Sequence, residues 1–306
     1  MSGDHAAAAV EEEKLHCASC GIAEIDGVKL KDCNSCDLIR YCSDDCQNNH
    51  RLEHEEECKK RAAELRDEIL FKQPEGSCYG DCPICCLPIP LDLDKSSFLT
   101  CCSKFICDGC AFANAIREVE LRLDQKCPFC REPVVISGEE YGRRNTKRVE
   151  MNDPYAIYQQ GLDRNYKGDY RSAFEYFTKA AALGNTQAHF RLGNLYLFGR
   201  FVEKDEGKII HHMEEAAIGG HPEARYTLGI QEWNDGSKER AVKHWIIAAT
   251  QGHDEAIKQL MDKFRKGFVS KEELAATLRA QKAAVDATKS PQRKEAEESS
   301  EYFRKV

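Results

Sequence analysis

Residues 33–58, CNSCDLIRYCSDDCQNNHRLEHEEEC, carry cysteines and a histidine at the spacings typical of zinc ligands. Two thiolates separated by two residues can reach one metal ion from a tight turn. With an upstream pair, the candidate ligands are Cys17, Cys20, Cys33, Cys36, Cys42, Cys46, His54 and Cys58. These eight donors fill two tetrahedral zinc sites. His50 lies one turn before His54 and competes with it, but the spacing to the neighbouring cysteines favours His54.

We treat residues 15–58 as the first module. Its stretch Tyr41-Cys42-Ser43, followed by Cys46-Gln47, His54 and Cys58, closely resembles a MYND zinc finger. The resemblance implies two interleaved zinc sites, one made by Cys17, Cys20, Cys42 and Cys46 and the other by Cys33, Cys36, His54 and Cys58. Because so short a stretch cannot bury a core, metal binding must supply its folding energy.

The MYND resemblance also implies a peptide-binding role. Fingers of this family grip proline-rich peptides in a shallow groove with the help of a tryptophan. Arg51 stands at the position of that tryptophan here. The alternative is a finger that only scaffolds its neighbours.

The second module, residues 78–136, carries eight further candidate ligands: Cys82, Cys85, Cys101, Cys102, Cys107, Cys110, Cys127 and Cys130. It resembles an all-cysteine RING finger, although Cys101 adjoins Cys102 more tightly than is usual. The resemblance implies one zinc site made by Cys82, Cys85, Cys107 and Cys110 and another made by Cys101, Cys102, Cys127 and Cys130. Cys78 and Cys86 are left over as reduced cysteines.

A RING finger binds a ubiquitin-conjugating enzyme in an apolar groove between its two zinc loops. By resemblance, Ile84 lies in the first loop of that groove, and Pro128 and Phe129 lie in the second. Arg131 matches the cation that bridges ubiquitin and the conjugating enzyme. The alternative is that Ile84 packs in a small core and that Arg131 is a solvated surface residue.

Small residues recur from residue 154 onward with a period of 32 to 36 residues. Ala156, Ala188 and Ala224 each precede a glycine by five residues, namely Gly161, Gly193 and Gly229. This period is the length of one helix pair, and the pattern resembles Sel-one-like repeats. Phe177, Met213 and Trp245 occupy one equivalent position and are expected in the core. Such repeats stack into a solenoid whose concave surface usually receives another protein.

The predicted fold is therefore two small cross-braced zinc-binding modules followed by an all-α solenoid. We assign residues 1–14 to a disordered N-terminus, 59–77 to a helical linker, 137–153 to a basic linker, 154–289 to the solenoid and 290–306 to a frayed, charged tail. The order of MYND, RING-like and Sel-one-like units resembles a large family of diatom proteins.

Composition limits the function classes. The net charge of −8 disfavours a nucleic-acid partner, and the chain shows no apolar run that could span a membrane and no secretory signal. All seventeen cysteines precede residue 131, and fifteen of them have metal-ligand spacings, which predicts reduced thiols in the cytoplasm or nucleus. We expect four structural zinc ions, two per module, and no catalytic side chain. The function predicted is a RING-type ubiquitin ligase whose MYND finger and repeats select the substrate; the alternative is a non-enzymatic scaffold.

Overall fold

The computed structural model describes residues 16–24, 28–76, 78–134 and 137–305, with side chains described up to residue 299. The N-terminus that we expected to be disordered, residues 1–14, lies outside this range. The chain divides into two compact units, Met1–Lys72 and Gln73–Val306.

The first unit holds a short antiparallel ribbon and one long helix. Strands β1 (Lys31–Asp32) and β2 (Arg40–Tyr41) pair with Lys31 opposite Tyr41. Helix α1 (Asp44–Leu70) begins where the Ser43 hydroxyl accepts a hydrogen bond from the Cys46 amide, a typical N-cap.

Helix α1 runs without a break through the expected boundary between the first module and the linker. Most of its side chains are charged, so ion pairs, rather than an apolar stripe, hold the helix to the finger. The guanidinium of Arg61 makes a two-pronged ion pair with Asp37, at 2.7 and 3.0 Å. Leu70 is fully buried, whereas its neighbour Ile69 is exposed.

The second unit begins with a small cysteine-rich fold. A 3₁₀ turn (Leu93–Lys95) leads into the antiparallel hairpin of β3 (Ser96–Leu99) and β4 (Lys104–Cys107), and helix α2 (Asp108–Glu120) follows directly. Its small core contains Ile89 and Ile106 together with the thiols of Cys82, Cys107 and Cys110.

Eight helices form the solenoid as successive antiparallel pairs. They are α4 (Pro154–Tyr166), α5 (Tyr170–Ala182), α6 (Thr186–Phe198), α7 (Glu206–Ile218), α8 (Pro222–Asn234), α9 (Lys238–Thr250), α10 (Asp254–Arg265) and α11 (Lys271–Ala287). The last pair follows the three regular repeats.

A glycine and a large side chain meet inside each regular pair. A Cβ atom added to the glycine would lie 2.5 to 2.8 Å from the large side chain, in the pairs Gly161 with Phe177, Gly193 with Met213, and Gly229 with Trp245. The three large side chains are at most 1% exposed, as the sequence predicted. The small residue of each pair is required because a larger one would keep the two helices apart.

Two segments depart from the expected linkers and tails. Residues 137–153 contain helix α3 (Gly138–Glu150), in which buried Asn145 donates a hydrogen bond to the Ala156 carbonyl at 3.1 Å. Helix α12 (Pro291–Lys305) packs against α2 and buries Ala296, so the described part of the tail is ordered. Both segments are rich in charged residues, which is why the sequence favoured a solvated linker and a frayed tail.

Candidate metal centres

The first module brings its candidate ligands together in two groups. All ligand atoms within a group lie within 4.8 Å of one another: Cys17, Cys20, Cys42 and Cys46 (the Cys17 set), and Cys33, Cys36, His54 and Cys58 (the Cys33 set). The Sγ atoms of Cys20 and Cys42 are 3.5 Å apart, and those of Cys33 and Cys58 are 3.7 Å apart. A tetrahedral zinc ion with Zn–S bonds of about 2.3 Å separates its sulfurs by roughly 3.8 Å, so the donors fit zinc.

His54, and not His50, faces the Cys33 set. The Nε2 atom of His54 lies 3.1 Å from the Cys36 Sγ, and the side chain is buried. His50 is engaged elsewhere, because its Nδ1 contacts the Tyr41 hydroxyl at 3.1 Å and its Nε2 lies 3.4 Å from a Glu53 oxygen. The two rings stack one turn apart on α1.

Backbone amides stabilise the thiolate of the first cysteine in a zinc turn. Burial acts to raise the pKa of Cys17, but hydrogen bonds from the amides of Cys20, Cys42 and Ser19 outweigh it and hold the pKa at about 6. Cys82 behaves in the same way: burial raises its pKa, and the amides of Cys107, Cys85 and Ile84 lower it to about 7. At these two positions the backbone therefore favours the thiolate, which is the form that binds zinc.

The second module also brings its eight candidates together as two groups of four. They are Cys82, Cys85, Cys107 and Cys110 (the Cys82 set), and Cys101, Cys102, Cys127 and Cys130 (the Cys101 set). The Sγ atoms of Cys85 and Cys107 are 3.8 Å apart, and those of Cys102 and Cys127 are 3.7 Å apart, which again fits a tetrahedral zinc ion.

The adjoining cysteines reach one site because the chain turns sharply there. The amides of Cys102 and Ser103 both donate to the Leu99 carbonyl, and Ser103 has a φ of 54°. The Sγ atoms of Cys101 and Cys102 lie 4.0 Å apart. The unusual spacing is therefore accommodated by the turn between β3 and β4.

Cys78 and Cys86 lie outside the four ligand sets. Cys86 is exposed and follows Cys85 in the left-handed region at a φ of 56°, where its amide closes the turn by donating to the Cys82 carbonyl. Cys78 is inside the unit, and burial raises its thiol pKa to about 12. Both are free cysteines in the structure.

A buried carboxylate ties helix α2 to the loop of the Cys101 set. Glu118 is 4% exposed and accepts hydrogen bonds from the Asn114 side chain at 3.1 Å and from the Lys126 amide at 3.2 Å. Sequence reasoning missed Glu118, since a single glutamate on a helix is ordinarily a solvated residue.

The basic stretch of helix α3 packs on the same module. Arg144 donates to the Pro133 carbonyl at 2.9 Å and pairs with Glu140 at 2.7 Å, and Arg148 donates to the Cys101 carbonyl. The guanidinium groups thus satisfy carbonyls beside the Cys101 set. We expected a solvated linker here, because the stretch is polar and basic.

The four residues that the RING resemblance assigns to contacts with a ubiquitin-conjugating enzyme and ubiquitin differ in exposure. Ile84 is 43% exposed, and Arg131 is exposed with a φ of 63° directly after the last cysteine. Pro128 and Phe129 are half-buried; Phe129 packs against the core of the Cys82 set, and Pro128 lines a cavity of about 280 Å³.

Comparison with known proteins assigns two of the three parts of the chain. Residues 17–58 match the MYND finger family, and residues 155–185, 186–221 and 228–253 match the Sel1 repeat family. The chain is therefore a zinc-binding protein that combines a MYND finger with a solenoid of Sel1 repeats. These parts support a role in protein–protein interaction.

Individual relatives match over limited stretches. Chitin synthase regulatory factor 4 of Schizosaccharomyces pombe is 32% identical over 91 residues, which cover 29% of this chain and 14% of that protein. A Sel1 repeat protein from Oxalobacter formigenes is 27% identical, with a TM-score of 0.42, over 48% of this chain and 65% of the other. The protective antigen c5321 from uropathogenic Escherichia coli is 26% identical, with a TM-score of 0.39, over 51% and 34%.

Helices in the described part of the chain are too short or too polar to cross a bilayer. Helix α1 is the longest at 27 residues, and it is charged along its length.

Proposed function

We propose that this protein is an adaptor whose second module recruits a ubiquitin-conjugating enzyme, while the MYND finger and the Sel1 repeats select the protein to be modified. The observation that carries the proposal is the exposure of Ile84 and Arg131 in the two cysteine loops of that module. These are the positions that contact the conjugating enzyme and ubiquitin in the RING fingers that the module resembles.

The proposed chemistry is orientation without a covalent intermediate. The apolar side chain of Ile84 would contact the conjugating enzyme, and the planar guanidinium of Arg131 would donate to ubiquitin and the enzyme at the same time. Holding the thioester in one pose raises the rate of transfer by proximity. In this scheme the protein forms no covalent bond to ubiquitin, and its side chains only orient the partners.

We further propose that the protein carries four zinc ions with a purely structural role. Each ligand set supplies four donors, so a tetrahedral ion has no open position for substrate or water. Zinc would then supply folding energy to two modules whose apolar cores are small.

The repeats are proposed to bind the selected protein. Tyr166 and Phe198 occupy equivalent positions at the ends of α4 and α6, and they are 81% and 64% exposed. Exposed aromatic side chains that recur along a solenoid supply contact area for a protein partner.

The test is an autoubiquitination assay with a panel of conjugating enzymes and fully zinc-loaded protein. We expect chains with the wild type, and at least tenfold fewer with Ile84→Ala or Arg131→Ala. The Arg131→Lys variant should make an intermediate amount of chains, between the wild type and the alanine variants, because lysine keeps the positive charge but lacks the planar guanidinium that can donate to two partners. Val119→Ala is the matched control, since Val119 is exposed on α2 and belongs to neither cysteine loop. Absence of chains with every conjugating enzyme would contradict the proposal.

The second candidate is a non-enzymatic scaffold in the cytoplasm or nucleus. It is favoured by the position of Phe129, whose ring packs against the core of the Cys82 set with the Lys104 ammonium 5.5 Å from its centroid. A groove residue that is committed to the module's own core offers less surface to a conjugating enzyme. Wild-type protein that makes no chains but still binds a partner through Tyr166 and Phe198 would establish this reading.

A further inference from the structure

Arg293, in the first turn of helix α12, lies against the loop that follows Cys85. Its Nη1 atom donates to the Pro88 carbonyl at 2.8 Å and to the Thr288 carbonyl at 2.7 Å, and its Nη2 atom donates to the Leu87 carbonyl at 3.2 Å. A guanidinium that satisfies three carbonyls in this way fixes the loop on the helix.

The same guanidinium also reaches a candidate zinc ligand. The Nη2 atom lies 3.5 Å from the Cys85 Sγ, across 208 residues of sequence, and the Cys107 thiol interacts electrostatically with the guanidinium. Both cysteines belong to the Cys82 set. Four thiolates around one divalent zinc ion carry a net charge of about −2, and this charge is partly withdrawn from water. A cation beside two of the thiolates offsets it, as partners of metal ligands do.

Packing holds Arg293 in this place. A Cβ atom added to Gly109, at the start of α2, would lie 2.7 Å from the Arg293 amide nitrogen and 2.9 Å from its Cα. The backbone of α12 therefore presses directly on the helix that carries Cys110. One turn further on, Ala296 is buried and Glu297 forms an ion pair with Lys95 at 2.7 Å.

We propose that Arg293 is a positioning residue of the zinc site formed by the Cys82 set, and that helix α12 is a structural part of the second module. The retention of zinc at this site then depends on a contact from the far end of the chain. The inference rests on zinc binding by the second module and does not require ligase activity.

The experiment is a chelator challenge of the zinc-loaded full-length chain, with thiol alkylation mapped by peptide mass spectrometry. For Arg293→Ala we expect loss of one zinc ion to be at least fivefold faster, with alkylation rising at Cys82, Cys85, Cys107 and Cys110 only. Arg293→Lys should recover part of the retention. Lys294→Ala is the control, since Lys294 is the solvent-facing neighbour, with 78% of its side chain exposed.

A second variant tests the packing without removing the cation. Gly109→Ala should displace α12 and produce the same selective alkylation, because the added methyl group collides with the backbone of Arg293. Unchanged zinc loss in Arg293→Ala would overturn the proposal. Equal loss from all four ligand sets would also overturn it, since it would show general unfolding in place of a site-specific role.

Discussion

At the residue scale, the cysteines separate into ligands and bystanders according to their surroundings. The candidate ligands converge in sets of four, three sets of four cysteines and one of three cysteines with His54, and the first cysteine of several turns receives amide hydrogen bonds. Cys86 adjoins a ligand but is exposed and closes a turn through its backbone alone. We therefore expect the side chain of Cys86 to be dispensable for zinc binding and that of Cys36 to be required.

We expect Cys36→Ser to lose one zinc ion and to unfold the first module, because a hydroxyl is a poor substitute for a buried thiolate ligand. Native mass spectrometry counts the bound zinc ions, and the amide NMR signals of residues 28–58 report whether the module is folded. Cys86→Ser should keep the full zinc content. A Cys36→Ser protein that retains all of its zinc would exclude Cys36 as a ligand.

At the element scale, close helix pairing in the repeats depends on glycine. In Gly229→Ala, the new methyl group would lie 2.5 Å from the Trp245 Nε1. We expect a loss of about 1–3 kcal/mol in the free energy of unfolding, measured by urea denaturation, because the buried indole has little room to move.

The control for this prediction is Gly207→Ala, in the first turn of α7. A Cβ atom there would lie no closer than 3.4 Å to its nearest neighbour, the Asp205 carboxylate. Alanine favours the helix over glycine, so this variant should be neutral or stabilised by up to about 1 kcal/mol. Equal destabilisation by the two substitutions would contradict the packing argument.

A histidine cap makes one helix sensitive to pH. The Nδ1 atom of His221 accepts a hydrogen bond from the Ala224 amide at 3.4 Å and caps α8, and its ring stacks on Phe190. Burial, and to a lesser extent the charge of Arg191, lowers the pKa of His221 to about 3. The folded protein therefore binds this proton more weakly than the unfolded chain does.

The contribution of His221 to stability is present above the unfolded pKa of about 6.5 and is lost as the pH falls from there toward 3. We expect the free energy of unfolding of the wild type, measured by urea denaturation, to fall between pH 7.5 and 5.5. The contribution of His221 to this fall is up to about 1.4 kcal/mol per pH unit. His221→Asn keeps a capping acceptor and should show a smaller drop. His211→Asn, at an exposed histidine, should behave like the wild type.

At the scale of the whole molecule, zinc and the repeats stabilise different regions. The two described clusters of apolar residues in the solenoid are built from alanines, aromatics and aliphatic side chains of the helix pairs, and no member of the four ligand sets belongs to these two clusters. We therefore expect chelation to unfold the zinc modules while much of the solenoid stays folded.

Hydrogen exchange before and after chelation checks this expectation. Amides in β1, β2, β3 and β4 should lose protection, whereas those in α5 to α9 should keep it. The helical circular dichroism signal should fall only in part. Complete loss of protection in α5 to α9 would show that the solenoid needs the zinc modules in order to fold.

The grouping of the candidate ligands and the presence of the repeats could be predicted because their patterns are local. The pairs Cys33/Cys36 and Cys82/Cys85 each form one turn, so their spacing alone identifies them. The recurrence of Gly161, Gly193 and Gly229 reflects a helix pair of constant length. The exposure of Ile84 and the half-buried state of Phe129 could not be predicted in this way, because both depend on how the second module packs.

By itself, the sequence determined the class of this protein: a cysteine-rich zinc-binding part followed by a helical repeat array, because coordination and helix period leave regular spacings along the chain. The tertiary structure alone decided that α3 and α12 pack on the second module. Those contacts run from Arg148 to the Cys101 carbonyl and from Arg293 to Cys85. A guanidinium can pair with any nearby carbonyl or thiolate, so the position of an arginine in the sequence does not predict which group it will contact.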